Sequence, residues 1–140
     1  MNMNQKWCQY WIDLFTDSSK ELISLYNPEF LFEDINFDVR IENDLDAMEE
    51  FQKGFLVEDP SKSYHKFKVF DYVGDEKLGS FQWIWESKHA GDFLGVPAAG
   101  KTTSTRGVTV MGWKDGKINL ERSIWDAVAV LQQLNAIPAP

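Results

Sequence analysis

Apolar residues at the start of the chain recur at helical spacing. Trp7, Tyr10, Trp11 and Leu14 fall at i, i+3, i+4 and i+7, which predicts an amphipathic helix. Asp17-Ser18-Ser19 breaks it. Ser18, with Glu21 three residues on, is a capping-box signal for a second helix carrying Leu22, Ile23, Leu25 and Tyr26. That helix should end near Asn27, because Pro28 disfavours helical geometry in the residue before it. The period then changes to two. Phe30, Phe32, Asp34 and Asn36 share one face of a strand predicted from about Glu29 to Val39. A third helix starts at Asn43 or Asp44, either a good N-cap, and carries Leu45, Met48, Phe51 and Phe55.

The rest of the chain reads as strands. Phe67–Val73 is one, closed by a Gly74-Asp75-Glu76 turn. Leu78–Glu86 follows, with Phe81, Trp83 and Trp85 on one face. A Gly/Pro-rich loop over 87–101 leads to a β-branched stretch, Thr102–Trp113. Asp115-Gly116 is a hairpin signal before Lys117–Trp125. Asp126 then opens a short helix with Ala127, Val130, Leu131 and Leu134 as its stripe. Three N-terminal helices, then antiparallel hairpins, predict an α+β fold with helices packed on one face of a curved sheet.

Size and charge narrow the function. The chain has 140 residues, suited to one domain over 1–140 with a single core. Aromatics make up 14%, too many for a disordered chain. The net charge of −8 argues against a generic binder of nucleic acid or anionic membranes, since phosphates attract the opposite sign. Residues 1–60 hold 14 acids against 4 bases, read as solvated helix faces. No apolar run is long enough to span a bilayer. Met1–Gln5 lacks the basic and apolar regions of a leader, so the expectation is a cytoplasmic protein. Cys8 alone cannot form an intrachain disulfide or a Cys-rich zinc site, and His65 and His89 make no metal-ligand motif.

Gly95-Val96-Pro97-Ala98-Ala99-Gly100-Lys101-Thr102 fits the phosphate-loop pattern. That chemistry needs a buried strand before the loop and a helix after it, whereas a loop precedes this match and a strand follows it. His89 is of more interest than His65, because it sits where a strand hands over to the glycine-rich loop. Asp126 has two readings, an N-cap of the last helix or a desolvated carboxylate able to act as general base, and on the residues alone the cap is the safer one. Arg122 shares a strand face with Leu120, Ile124 and Asp126. It either grips an anionic group of a ligand or lies at the sheet edge reaching water. Asp34 is a lone acid on an apolar strand face, an expensive place for charge.

Three signals together resemble a known family. Trp83-Ile84-Trp85-Glu86-Ser87-Lys88-His89-Ala90-Gly91-Asp92-Phe93-Leu94-Gly95-Val96-Pro97-Ala98-Ala99-Gly100-Lys101 is similar to the stretch that SnoaL-like polyketide cyclases write as W-x-F-x-G-T-H-x-G-E-F-x-G-I-P-P-T-G-K. Asp115-Gly116-Lys117-Ile118 resembles their D-G-K-I turn. Asp126 followed by Leu131-Gln132-Gln133-Leu134 resembles their D-x-x-x-x-L-Q-Q-L close. The resemblance implies a nuclear transport factor 2-like fold, a cone-shaped half-barrel with an internal pocket. It also implies aldol ring closure of a polyketide without metal or organic cofactor. The roles it implies are Asp126 as the base and His89 as its acid or hydrogen-bonding partner. Ser87-Lys88, Ala98-Ala99, Leu120 and Arg122 depart from the family pattern. Leu120 and Arg122 are expected to face the pocket, so the substrate is expected to differ from an aromatic polyketide, an internal Arg favouring a carboxylate or other anionic acid.

The expectation is a cofactor-independent cyclase or isomerase-type enzyme taking a proton alpha to a carbonyl. The alternative is a non-catalytic small-molecule-binding or association module of the same fold. Asp126, His89, Arg122 and Asp34 are expected to converge on one cavity holding a small carbonyl substrate, with Trp83 and Trp85 as its apolar wall. A homodimer or larger symmetric assembly is expected to cover the aromatic face of Phe81, Trp83 and Trp85. If those rings line the pocket instead, the interface must use Gln82, Ile84 and neighbouring strands.

Overall fold

A computed structural model describes residues 3–139, without the side chain of Met3. Met1, Asn2 and Pro140, and with them part of the leader reading, lie outside the described residues. Helices α1 (Met3–Asp17) and α2 (Ser19–Ile23) come first. Strands β1 (Tyr26–Asp34) and β2 (Val39–Glu42) and helix α3 (Leu45–Lys53) follow. Strands β3 (Tyr64–Gly74), β4 (Leu78–Lys88), β5 (Thr102–Lys114) and β6 (Lys117–Trp125) and helix α4 (Ala127–Gln133) complete the chain. The six strands form one curved, unclosed sheet in the order β2-β1-β6-β5-β4-β3. Every pairing is antiparallel except β1 with β6, which is parallel. The α+β expectation holds.

Two elements differ from the periodicity. The second helix is one turn and a little more, capped by Ser18 accepting from the Glu21 amide. Tyr26 belongs to β1, where its ring meets Phe30 and its hydroxyl reaches Glu121. Tertiary contacts thus override a local helical pattern. The first strand also stops at Asp34. The Asp34 carboxylate accepts from the Phe37 amide at 3.0 Å, Asp38 takes a left-handed conformation, and the chain returns as β2. An Asp side chain bonding backbone further along is a turn former.

Irregularities in pairing within β1, β3 and β5 bend the sheet around the helices. Cys8, Trp11, Ile12 and Phe15 of α1 and Met48 of α3 bury into the concave side. Gly107 on β5 allows this packing: a Cβ there would lie 2.4 Å from the Trp83 ring, so the indole covers bare backbone. Asp115 and Gly116, both at positive φ, make the β5–β6 hairpin turn as read. The phosphate-loop match is a loop feeding directly into β5, with no helix after it. No helix among the described residues is long and apolar enough to cross a membrane.

Candidate active site

The register of the sheet places polar residues in a row across its concave face. Asp34 of β1 lies beside Ser123 of β6, and Ser123 beside Thr109 of β5. One row away, Phe32 lies beside Glu121 and Glu121 beside Met111. Trp125 and Trp83 flank Gly107 in the row on the other side. Aromatic side chains from the helices close over these rows. Together they line a half-open chamber of about 50 Å³. That is room for a few water molecules as it stands.

Polar groups in the chamber are sparsely but specifically bonded. The Thr109 hydroxyl accepts from the Trp83 indole at 2.9 Å and meets the Ser123 hydroxyl at 2.7 Å. Asp34 is buried. Its Oδ1 takes the Phe37 amide, and both oxygens sit 3.4 Å from the Trp125 indole nitrogen. The indole contact is long, and burial pushes the carboxyl above its ordinary value against the Phe37 amide, the indole and the Asn36 amide. Glu121 is 2% exposed. It accepts a hydrogen bond from the Tyr26 hydroxyl, which itself accepts from the Trp11 indole at 3.2 Å. Burial raises Glu121 to about 8, opposed by the Tyr26 bond and reinforced by the charge of Asp34.

Phe37, Phe51, Phe55 and Trp85 line both this chamber and an open vestibule of about 460 Å³. They form an aromatic neck, with ring centroids 5.8–6.3 Å apart for the Phe51–Phe55, Phe55–Trp85 and Phe37–Phe51 pairs. His89 lines the vestibule, its Nε2 2.9 Å from the Thr103 hydroxyl and its ring against Phe93. His65 joins it there. Its Nδ1 must accept, since the Trp85 indole 3.0 Å away can only donate. The ring is therefore the Nε2–H tautomer, and burial followed by the nearby His89 lowers it to about 4. Burial also lowers His89. No group of three His, Cys, Asp or Glu side chains gathers as a metal site among the described residues.

The convergence read from the sequence therefore splits. Asp34, Trp83 and Trp85 line the chamber, and His89 lies beyond the neck. Arg122 and Asp126 lie outside. Alternation along β6 sends Glu121, Ser123 and Trp125 inward and Arg122 and Ile124 outward, so the face shared by Arg122 and Asp126 is the convex one. Arg122 pairs with Glu33 at 3.0 Å, and exposed Asp126 caps α4 by accepting from the Ala129 amide at 3.0 Å. Phe81, Trp83 and Trp85 also face inward, which corrects their reading as a partner surface. Sequence reasoning missed Glu121, Tyr26, Ser123, Thr109 and His65. The signal for Glu121 was the parity of β6, once Trp125 is taken as core.

Comparison with known proteins bears on this geometry. A search of curated proteins finds no match to the chain. Among solved structures, a proposed SnoaL-like polyketide cyclase from Shewanella denitrificans OS-217 superposes with a TM-score of 0.78 at 15% identity, covering 98% of this chain and 100% of that one. Another from Shewanella putrefaciens CN-32 gives 0.77 at 17% identity, covering 98% and 88%. AclR, a proposed hydroxylase from Streptomyces galilaeus, gives 0.73 at 18% identity, covering 95% and 81%. These likenesses establish the nuclear transport factor 2-like fold. Residues 24–134, from the edge of β1 through α4 and therefore every chamber strand, match the SnoaL-like polyketide cyclase family, and the chain belongs to that family.

Proposed function

We propose that the protein is a cofactor-independent cyclase or isomerase-type enzyme that takes a proton alpha to a carbonyl, with Asp34 as the base. The observation that carries this reading is the Asp34 carboxylate: buried in an aromatic chamber with no cation among its described lining residues, and held only by the Phe37 and Asn36 amides and a long contact to the Trp125 indole. A carboxylate so desolvated holds a proton more readily than one in water, which is what a base for a weak carbon acid requires. Family membership supports the reaction class. His89, at the vestibule, is proposed as a hydrogen-bonding partner for the part of the substrate outside the neck. Proton NMR of ketone α-hydrogens in D₂O tests the reading. Asp34→Asn should lower exchange by roughly 10²–10⁴-fold, the usual worth of a positioned base. Equal exchange by wild type and variant removes Asp34 from the mechanism.

The assembly belongs to the same proposal. Ile84, Val108 and Ile124 are exposed on the convex face, on neighbouring strands. Gln82 and Ile84 are the residues that the sequence assigned to an interface should the tryptophans turn inward. We propose a homodimer through this face. Ile124→Glu should convert it to monomer by light scattering at micromolar concentration, and a wild-type monomer there would contradict the proposal.

A further inference from the structure

Proton abstraction at carbon also needs a donor at the carbonyl oxygen, where negative charge develops. We propose that Glu121, seated against Tyr26 on the chamber wall, is a second catalytic residue, donating a hydrogen bond to the carbonyl oxygen of an uncharged substrate while Asp34 takes the α-proton. This rests on the assignment of Asp34 as base.

Glu121 and Asp34 share the concave face. Glu121 is two residues along β6 from Ser123, the register partner of Asp34. One strand across and two residues along gives roughly 8 Å between their Cα atoms. A carbonyl oxygen about 2.7 Å from one carboxyl leaves room for its α-carbon about 3–3.5 Å from the other, the range of a near-attack geometry.

The surroundings of Glu121 favour its neutral, donating form. The titratable groups facing it are Tyr26 and Asp34, both from β1. From α1 the hydrogen-bonded chain brings the Trp11 indole, α3 brings uncharged Gln52 near Tyr26, and β5 brings Met111. No cation lines the chamber among the described residues. The Tyr26 hydroxyl takes a bond from Trp11 and gives its own to Oε1 of Glu121, leaving Oε2 to carry the proton. With the carboxyl raised to about 8, that proton is present at neutral pH. Two acids in one cavity with separated titrations are an acid and a base.

The step balances without a further reactant. The C–H bond breaks and its proton goes to Oδ2 of Asp34. The bonding pair becomes the C=C bond of the enolate, and the carbonyl π pair moves onto oxygen, whose negative charge is held by the hydrogen bond from the Glu121 O–H. The same charges set the substrate class. A carboxylate-bearing keto acid would enter a chamber that offers carboxyl groups and no cation, since Arg122 lies on the convex face. An uncharged ketone or 1,3-dicarbonyl matches the charge of this lining.

The test uses cyclohexanone and 4-oxocyclohexanecarboxylate with the full chain in D₂O. Wild type should exchange the α-protons of the ketone and leave those of the carboxylate alone. Its rate should fall above about pH 8, as Glu121 ionises. Glu121→Gln should lower exchange by on the order of 10²-fold, the worth of one positioned donor, and lose the alkaline fall. Tyr26→Phe should move that fall to higher pH, because the tyrosine bond favours the ionised form. Infrared spectra give a readout that needs no substrate. The protonated-carboxyl stretch should be present at about pH 6.5, vanish through the folded titration near 8, and be missing in Glu121→Gln. An absent band in wild type overturns the inference, even if the variant fails to fold. Undiminished exchange with an unchanged pH profile in Glu121→Gln also overturns it, while loss in Asp34→Asn keeps the base assignment standing. Equal exchange of the two probes overturns the substrate class. Exchange of neither removes the base assignment and this inference together.

Discussion

The buried Glu121 carboxyl makes a prediction about stability that requires no substrate. Its ordinary value is 4.5 and the fold raises it to about 8. The folded state therefore binds this proton more tightly than the unfolded chain. The resulting stabilisation is full below 4.5 and is lost as pH rises through the folded value. At pH 6.5 the folded carboxyl is protonated and the unfolded one ionised, a difference worth about 1.5 pH units. At about 1.36 kcal/mol per unit, roughly 2 kcal/mol remains at that pH and nearly none at pH 9.

Other groups move in the same range but not in the comparison that matters. His65, lowered to about 4, makes its main change below pH 6.5, where protonating the unfolded chain destabilises the fold. Cys8, raised to about 12, begins to cost stability only as the unfolded thiol ionises near 9. Both are common to wild type and Glu121→Gln, so the difference between the two proteins isolates Glu121. Urea denaturation followed by tryptophan fluorescence at several pH values from 6.5 to 9 measures it. Wild type should lose about 2 kcal/mol more than Glu121→Gln over that window. Parallel stability curves would refute the raised carboxyl and the physical basis of its donor role.

Two further substitutions separate packing from chemistry. Gly107→Ala forces a methyl into the Trp83 ring and strains its bond to Thr109; overpacking and the lost bond should together cost about 2–4 kcal/mol by urea denaturation, and a loss under about 0.5 kcal/mol would show that the indole has room to move. Asp126→Ala removes the α4 cap and should cost about 1 kcal/mol while leaving ketone exchange unchanged; a fall in exchange at constant stability would return Asp126 to the mechanism.

What could be read from the chain was whatever a single segment determines. The Phe30-Phe32-Asp34 alternation marks a strand face bound for the core, and a charge on such a face stands out before any fold is known. The Asp115-Gly116 turn and the caps at Ser18 and Asp126 are equally local. β6 is different. Its inward residues Glu121, Ser123 and Trp125 and its outward residues Leu120, Arg122 and Ile124 each mix polar with apolar, so neither face declares itself. The outer surface even looks like a core, because Ile84, Val108 and Ile124 gather there. The choice is made by the parallel pairing of β6 with β1, which sets Ser123 beside Asp34 and Glu121 beside Phe32 across nearly ninety residues of chain. Slipping that register by one residue would turn Glu121 out to solvent and bring Arg122 into the chamber. The acid–base character of the cavity is thus a property of one long-range register. It could not be read from β6 alone, and the lone acid on β1 could show only half of it.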